Sequence, residues 1–327
     1  MLEVRSNSLC LQHVPGLGHP ERPGRVTAIL DSLSSSPNAA WRLIRESPLP
    51  PDDDTLGVLK WVHDVDYVER LREGAAAGSG WLDSHDCAIS EGTFSAAVAA
   101  SGLALNAGLD LVNGRLRRAF ILTRPPSHHA ERGRARGFCF FNSVALAAEV
   151  IARSWNKPVL IVDFDAWHGN GTQAQFWDRA DVGYLSVHRY PGFPGSGTAD
   201  DIGDGEGFGA TRNIPLAEGA DDDTFCTAFE NGLDEMAARM QPAALVVSAG
   251  FNGHRDDPVG GLALSGEGYG RISRKLVRTA EKWSEGRVLS FLEGGFEPSA
   301  LAASALAHVK EMAKNAESGT NDRLPVN

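Results

Sequence analysis

The chain has 327 residues, of which 42% are hydrophobic and 22% charged, and its formal net charge is −11. These values are typical of a globular protein with an ordinary core, and the dispersed acidic excess argues against non-specific nucleic-acid binding. We find no secretory signal, no apolar run near the ~20 residues of a membrane helix, and no closely spaced cysteine pair. We therefore expect a cytoplasmic protein with reduced thiols that binds neither nucleic acid nor membrane. Self-association into a homo-oligomer is compatible with these numbers.

Apolar runs alternate with helical patterns along the chain. Helices are predicted over 91–112, 142–153, 221–240 and 267–283, and strands over 119–123, 159–165, 184–188, 244–250 and 288–295. The strand runs are continuous rather than alternating, as expected for parallel strands covered on both faces. The order predicts a three-layer α/β fold with a mainly parallel central sheet and helices on both faces. We expect a single domain over residues 1–312 and a polar tail over 313–327.

The loops that follow the predicted strands are rich in His, Asp, Gly and aromatic residues. They read TRPPSHHAERG, DFDAWHGNGTQ, SVHRYPGFPGSG, SAGFNGHRDDPVGG and LEGGFEPS. Because the carboxyl ends of parallel strands meet at one edge of a sheet, these loops predict one composite pocket.

Two of these loops carry side chains suited to proton transfer and cation binding. His128 and His129 can serve as general base and general acid, unless they are two surface histidines in a loop. Asp163 and Asp165 point to the same side of their strand, where they can bind a cation or orient a histidine. The alternative for these aspartates is a role in capping the following helix.

Three positions in the same loops do not suit a zinc site. Trp167 stands where a second ligand is expected, and an indole cannot bind zinc. Asn252 offers an amide oxygen, which is a poor zinc ligand compared with a carboxylate. Phe296 can pack or stack but cannot donate a hydrogen bond to an oxyanion.

With these motifs the chain resembles the histone deacetylase and acetylpolyamine amidohydrolase family, which shares its fold with arginase. The matching segments run in the family's order over nearly the whole chain, at 19–25, 124–148, 162–173, 185–198, 248–265 and 292–296. The resemblance implies zinc-assisted hydrolysis of an acetyl-amide. In that family two aspartates and a histidine hold zinc, a histidine pair moves protons, and a tyrosine stabilises the oxyanion.

Carried over by position, the family's site is only partly present. The histidine pair is His128 and His129, and Asp165 matches the first zinc aspartate. Trp167 replaces the zinc histidine, Asn252 the second zinc aspartate, and Phe296 the oxyanion tyrosine. We therefore expect that zinc is not bound. The remaining way to hold a metal is through Asp165 and His168, which would have to turn inward.

Other parts of the resemblance are intact. Phe138 and Phe193 match the aromatic pair that walls the family's acyl-lysine tunnel, and Arg22 is expected at the floor of the pocket. The family's structural potassium site implies potassium bound by the side chains of Asp163 and Ser186 and the carbonyls of Asp165, Trp167 and Val187.

These observations leave three functions open. Trp167, Phe138, Phe193 and Phe296, with Asn252 beside them, can line a pocket for a small cationic or acylated amine; alternatively, Trp167 fills the vacated space and leaves no pocket. The leading hypothesis is a metal-independent enzyme that uses His128 and His129 on such a small-molecule ligand. The second is a non-catalytic binding or regulatory protein. The third is a zinc-dependent amidohydrolase with unusual ligands.

Overall fold

An eight-stranded, wholly parallel sheet forms the centre of the protein in a computed structural model, which describes residues 1–36 and 40–314. The sheet has the order β2-β1-β5-β10-β9-β6-β7-β8. Its strands are β1 (Leu2–Arg5), β2 (Trp41–Ile44), β5 (Arg118–Ile121), β6 (Val159–Asp163), β7 (Val182–Arg189), β8 (Thr211–Leu216), β9 (Ala244–Ala249) and β10 (Val288–Leu292). A separate antiparallel pair consists of β3 (Ser79–Trp81) and β4 (Ala88–Ser90).

Helices cover both faces of this sheet. They are α1 (Gly24–Ser34), α2 (Asp52–Leu59), α3 (Val65–Ala76), α4 (Thr93–Val112), α5 (Ser143–Trp155), α6 (Asn170–Gln175), α7 (Asp222–Met240), α8 (Gly266–Trp283) and α9 (Pro298–Met312). Two short 3-10 turns lie at Ser8–Leu11 and Gly205–Gly207.

The core is divided into two layers by the sheet. Side chains of α1, α7, α8 and α9 pack on one face, and those of α3, α4 and α5 pack on the other. Alternate residues of one strand enter the two layers: Leu160 and Val162 of β6 belong to the first, and Val159 and Ile161 to the second. This explains the continuous apolar runs, and the predicted three-layer α/β fold is confirmed.

The predicted elements correspond closely to nine of those observed, but several elements were missed. The five predicted strands correspond to β5, β6, β7, β9 and β10, and the four predicted helices to α4, α5, α7 and α8. The sheet also contains β1, β2 and β8, which the sequence did not reveal. The single-domain boundaries remain a prediction, and the expected tail falls outside the described residues from 315 onward.

The expectation that no apolar run comes near the length of a membrane helix was wrong. Within the described part of the chain, α4 is long and apolar enough to cross a membrane by length and composition. However, 72% of that span is buried inside the protein, where α4 packs against α5, α2 and the Ser8–Leu11 turn. The helix is apolar because neighbouring elements cover it, which is how core helices of globular proteins pass the same test.

Candidate functional site

A cavity of about 240 Å³ opens at the carboxyl ends of the central strands, where the sequence predicted a pocket. The residues that line it are Asp86, Pro126, His128, His129, Gly137, Phe138, Asp165, Trp167, Phe193, Asn252, Val259, Gly294 and Phe296. The fold therefore brings together the five residues predicted to line the pocket, Phe138, Trp167, Phe193, Asn252 and Phe296, from five loops separated in sequence. Trp167 does not fill the space.

His128 lies at the base of the cavity and is oriented by a carboxylate. Its Nδ1 lies 2.9 Å from Asp163 Oδ2, and its Nε2 lies 4.0 Å from Asp165 Oδ2, beyond hydrogen-bond distance. Burial would lower the pKa of His128, but the carboxylates of Asp163 and Asp165 outweigh it and raise the pKa to about 10. His128 is therefore a protonated imidazolium at neutral pH.

His129 lies beside it, with ring centroids 4.0 Å apart and ring planes inclined by 41°, but its surroundings have the opposite effect on its pKa. Its Nδ1 lies 2.9 Å from the side-chain oxygen of Asn170. Burial and the neighbouring His128 hold the pKa of His129 well below its ordinary value. The pair thus combines one charged and one neutral imidazole, which is the arrangement required of an acid and a base that act together.

The carboxylate of Asp165 is held by hydrogen bonds from three N–H groups. Its Oδ1 accepts from the backbone N–H of Trp167 at 2.9 Å and from the side-chain amide of Asn252 at 2.8 Å. Its Oδ2 accepts from the N–H of Gly294 at 2.9 Å. The Asn252 oxygen in turn accepts from the N–H of Ala166, which fixes the amide with its NH₂ group toward Asp165.

This donor set does not fit zinc. Among the described residues, no three His, Cys, Asp or Glu side chains come together in a way that could hold a metal ion. His168 does not turn toward Asp165, since its ring nitrogens lie 2.9 Å from Ser196 Oγ and 2.9 Å from Gln173 Oε1. Burial lowers the pKa of His168 to about 3, so this ring is a neutral, structural group.

The indole of Trp167 packs against the loop after β7. A β-carbon at Gly192 would overlap its six-membered ring, so this close packing depends on glycine. The guanidinium of Arg189 lies 5.0 Å from the centre of the ring. Because the side chain extends toward Gly192 and Arg189, it forms one wall of the cavity.

Two other aromatic walls are also in contact with arginines. Arg25 lies 4.9 Å from the ring centre of Phe296, and Arg136 lies 5.3 Å from that of Phe193. Neither arginine lines the cavity. Phe138 completes the wall by meeting Phe296 edge to face, at 5.6 Å between ring centres.

The expectation that Arg22 lies at the floor of the pocket was wrong. Arg22 is exposed, whereas Arg25, one helical turn later, is buried. Arg25 donates hydrogen bonds to the carbonyls of Glu293 and Gly295. It therefore supports the loop that carries Phe296.

Among the residues expected to bind potassium, Asp165 and Trp167 line the pocket, whereas Asp163, Ser186 and Val187 are not part of its lining. Asp163 and Ser186 are paired directly across β6 and β7, and both are fully buried. Val187 is the next residue of β7, and Asp165 and Trp167 follow β6. Asp163 also contacts His128, so its position affects both the expected potassium site and the histidine pair.

Two residues important to the site, Glu293 and Asp86, were not predicted. Glu293 is fully buried; it accepts hydrogen bonds from the backbone N–H groups of Ser127 and His128 and from the Ser127 hydroxyl. Burial raises the pKa of Glu293 to about 7. Asp86 lines the cavity and accepts from the N–H of Gly137 at 2.9 Å. Both are single acids in the sequence, and no motif around them signalled these contacts.

Similarity to known proteins agrees with this architecture. Residues 19–312 match the model of the histone deacetylase domain. The chain is 33% identical to a probable deacetylase of Archaeoglobus fulgidus, over 88% of this chain and 79% of that protein. It is also 33% identical to the histone deacetylase-like amidohydrolase of Pseudomonas aeruginosa, over 90% and 77%. Histone deacetylase 15 of Arabidopsis thaliana is 35% identical over 89% of this chain but only 52% of its own length.

The structural comparison gives the same result. The crystal structure of the HDA15 HD domain superposes with a TM-score of 0.88 and 32% identity, covering 96% of this chain and 88% of that one. Fold and site thus define an arginase/deacetylase-type α/β protein with a histidine pair at the strand ends. The chain belongs to the histone deacetylase family.

Proposed function

We propose that this chain is a zinc-independent member of its family that binds a small acylated amine and moves a proton on it through His128 and His129. The observation that carries the proposal is the pattern of hydrogen bonds around Asp165 and around the two histidines. The Asp165 carboxylate is already held by three N–H donors, while both histidines keep the partners that orient them.

The loss of zinc is inferred from the chemistry of the donors. A zinc site needs several deprotonated ligands that direct lone pairs at one point. At Asp165 the neighbouring side-chain group is the NH₂ of Asn252, which donates and has no lone pair to offer. Trp167 supplies only a backbone N–H. The hydrogen bonds therefore stabilise the negative charge that a metal would otherwise neutralise.

The histidine pair supplies complementary proton-transfer groups. Because Asn170 holds His129 through Nδ1, the Nε2 of the neutral ring is left to accept a proton from the bound ligand or from water. The charged ring of His128 can return a proton through its own Nε2 while Asp163 stabilises its charge. Such a pair suits hydrolysis, elimination or isomerisation.

The arginines in contact with the walls favour an acylated ligand over a cationic one. Arg25, Arg136 and Arg189 already interact with the faces of Phe296, Phe193 and Trp167. A ring that already interacts with one cation attracts a second one less, and the guanidinium groups themselves repel a cation in the cavity. A neutral acyl group pays no such penalty in an aromatic pocket.

We also propose that a structural potassium ion binds through Asp163, Ser186 and the carbonyls of Asp165, Trp167 and Val187. Its support is the direct pairing of Asp163 with Ser186 and the complete burial of both. Trp167 would contribute only its backbone oxygen, so the replacement of its side chain leaves this site unaffected. Oxygen ligands suit such a hard cation.

One observation favours a second candidate, a non-catalytic protein that binds acylated amines. Phe296 cannot stabilise an oxyanion, and the N–H groups that Asn252 and Gly294 direct at Asp165 are already used by its carboxylate. Amide hydrolysis without such donors loses a large share of its rate enhancement.

Elemental analysis together with calorimetry tests the proposal. The protein is chelated briefly, resupplied with zinc, iron, manganese and potassium, and analysed for each metal. We expect potassium but no stoichiometric transition metal. We also expect binding of an acetyl-lysine peptide in the presence of chelator that exceeds binding of the unacetylated peptide. Stoichiometric zinc would overturn the proposal. Binding without turnover, unchanged in His129→Gln, would establish the second candidate instead.

A further inference from the structure

Behind His129, a glutamate contacts the asparagine that orients the ring. The Nδ2 of Asn170 donates to Glu131 Oε1 at 2.7 Å, while its Oδ1 lies 2.9 Å from His129 Nδ1. The same Nδ2 lies 3.4 Å from the carbonyl oxygen of His129. Asn170 therefore stands between one histidine ring and two oxygen acceptors.

These contacts allow only one orientation of the amide. An ionised carboxylate and a carbonyl can accept hydrogen bonds but cannot donate them, so the group that faces them must be the NH₂. The oxygen of Asn170 must then face His129. Because that oxygen can only accept, the proton of the neutral ring has to be on Nδ1, and Nε2 has to be unprotonated.

We propose that Glu131 is a positioning residue that sets the tautomer of His129 by fixing the amide of Asn170. The consequence for proton transfer rests on the function proposed above, but the tautomer itself does not depend on any ligand or turnover. Without Glu131, the amide of Asn170 could turn over and place its NH₂ toward His129. The ring would then carry its proton on Nε2 and could not act as a base toward the cavity.

Glu131 is well placed for this role. Its backbone N–H donates to the carbonyl of Arg134 at 2.9 Å, and its carbonyl lies 3.1 Å from His63 Nδ1, so the main chain is held on both sides. The guanidinium of Arg136 lies 3.9 Å from Oε1. The side chain is 34% exposed, so substitutions there are compatible with folding.

Two substitutions of Glu131 distinguish an effect on the orientation of the Asn170 amide from a general loss of structure. Glu131→Gln keeps an oxygen acceptor for Asn170 and serves as the matched control. Glu131→Lys replaces the acceptor with an ammonium group that can only donate, which turns the Asn170 oxygen away from His129. Asn170→Asp in the Glu131→Lys background supplies an acceptor whichever way the group turns, and is the rescue variant.

The measurement is ¹⁵N NMR of histidine-labelled protein, with the His129 signals assigned through His129→Gln. We expect the Nδ1–H tautomer in the wild type and in Glu131→Gln. In Glu131→Lys the ratio of the two tautomers should change by about tenfold or more, the scale of one buried hydrogen bond. The rescue variant should restore the Nδ1–H form. An unchanged tautomer in Glu131→Lys, or no rescue, would overturn the proposal. Zinc binding by the wild type would overturn the proposed function but not this tautomer assignment.

Discussion

Asn252→Asp tests the proposal that hydrogen bonds replace a metal at Asp165. The amide nitrogen that now donates to Asp165 Oδ1 at 2.8 Å becomes a carboxylate oxygen. Two unit charges at that separation repel by ~6 kcal/mol at an effective dielectric constant of about 20. Protonation of one carboxyl limits the penalty, so we expect a loss of about 3–5 kcal/mol in the free energy of unfolding at pH 7. Asn252→Ala, which removes the hydrogen bonds without adding charge, should lose less.

The same variant should depend on pH with a definite sign. Burial and the like charge raise the folded-state pKa of the carboxyl pair above its unfolded value, so the folded protein binds the extra proton more readily. The stability of Asn252→Asp relative to Asn252→Ala should therefore be greatest at low pH and fall as the pH rises above about 4. Urea unfolding at several pH values measures this difference.

Adding Trp167→His to Asn252→Asp should create a zinc site, so that bound zinc offsets the loss of stability caused by the two carboxylates. The double variant brings two carboxylates and an imidazole to one point, and zinc at 100 times its dissociation constant would stabilise it by ~2.7 kcal/mol. Differential scanning calorimetry with and without zinc, backed by elemental analysis, is the assay. Zinc stabilisation of the wild type would refute the reasoning, as would an Asn252→Asp protein no less stable than Asn252→Ala at pH 7.

Three further outcomes follow from single contacts. Since burial raises the pKa of Glu293 to about 7, its contribution to stability should fall by about 3 kcal/mol between pH 4.5 and 7, and Glu293→Gln should abolish that slope in pH-dependent unfolding. Gly192→Ala should lower the free energy of unfolding by ~1–3 kcal/mol through overlap with Trp167, and by less in a Trp167→Ala background. Gly57→Ala, which has open space around it, should not destabilise the protein. Arg136→Met should raise the affinity for an unacetylated amine two- to fivefold by calorimetry, the scale of an exposed cation–π contact, and leave acetylated ligand binding nearly unchanged.

The buried half of the fold was predictable because it has a simple pattern. Central strands such as β6 are apolar at every position, since helices cover both faces of the sheet. The missed strands lie toward the sheet's edges and carry polar residues: β2 reads WRLI and β8 reads TRNIPL. A four-residue strand leaves too little periodicity to separate it from a loop, and its position depends on pairing partners far away in sequence.

The sequence could predict which residues form the site but not the hydrogen bonds that connect them. The motifs placed His128, Asp165 and the aromatic residues in one pocket because each follows a strand. The sequence could not reveal which arginine of HPERPGR is buried, because helix α1 begins within that motif and turns Arg25, not Arg22, inward. Nor could it reveal Glu131 or Glu293, whose roles depend on hydrogen bonds to other loops.

Of the three replacements at the family's metal site, Asn252 acts directly on the carboxylate of Asp165. Asp165 is only 1% exposed, so loss of zinc alone would leave a buried carboxylate without compensation and destabilise the fold. The NH₂ of Asn252 supplies a donor where a second aspartate would have added charge. The backbone N–H of Trp167 binds Asp165 whatever the side chain is, which frees the indole to pack on Gly192. Phe296 interacts with Arg25 instead of an oxyanion. Among the described residues, the buried side-chain atoms without hydrogen-bond partners include none from Asp165 or Asn252. The hydrogen bonds of Asp165 and Asn252 therefore support the proposed metal-free pocket.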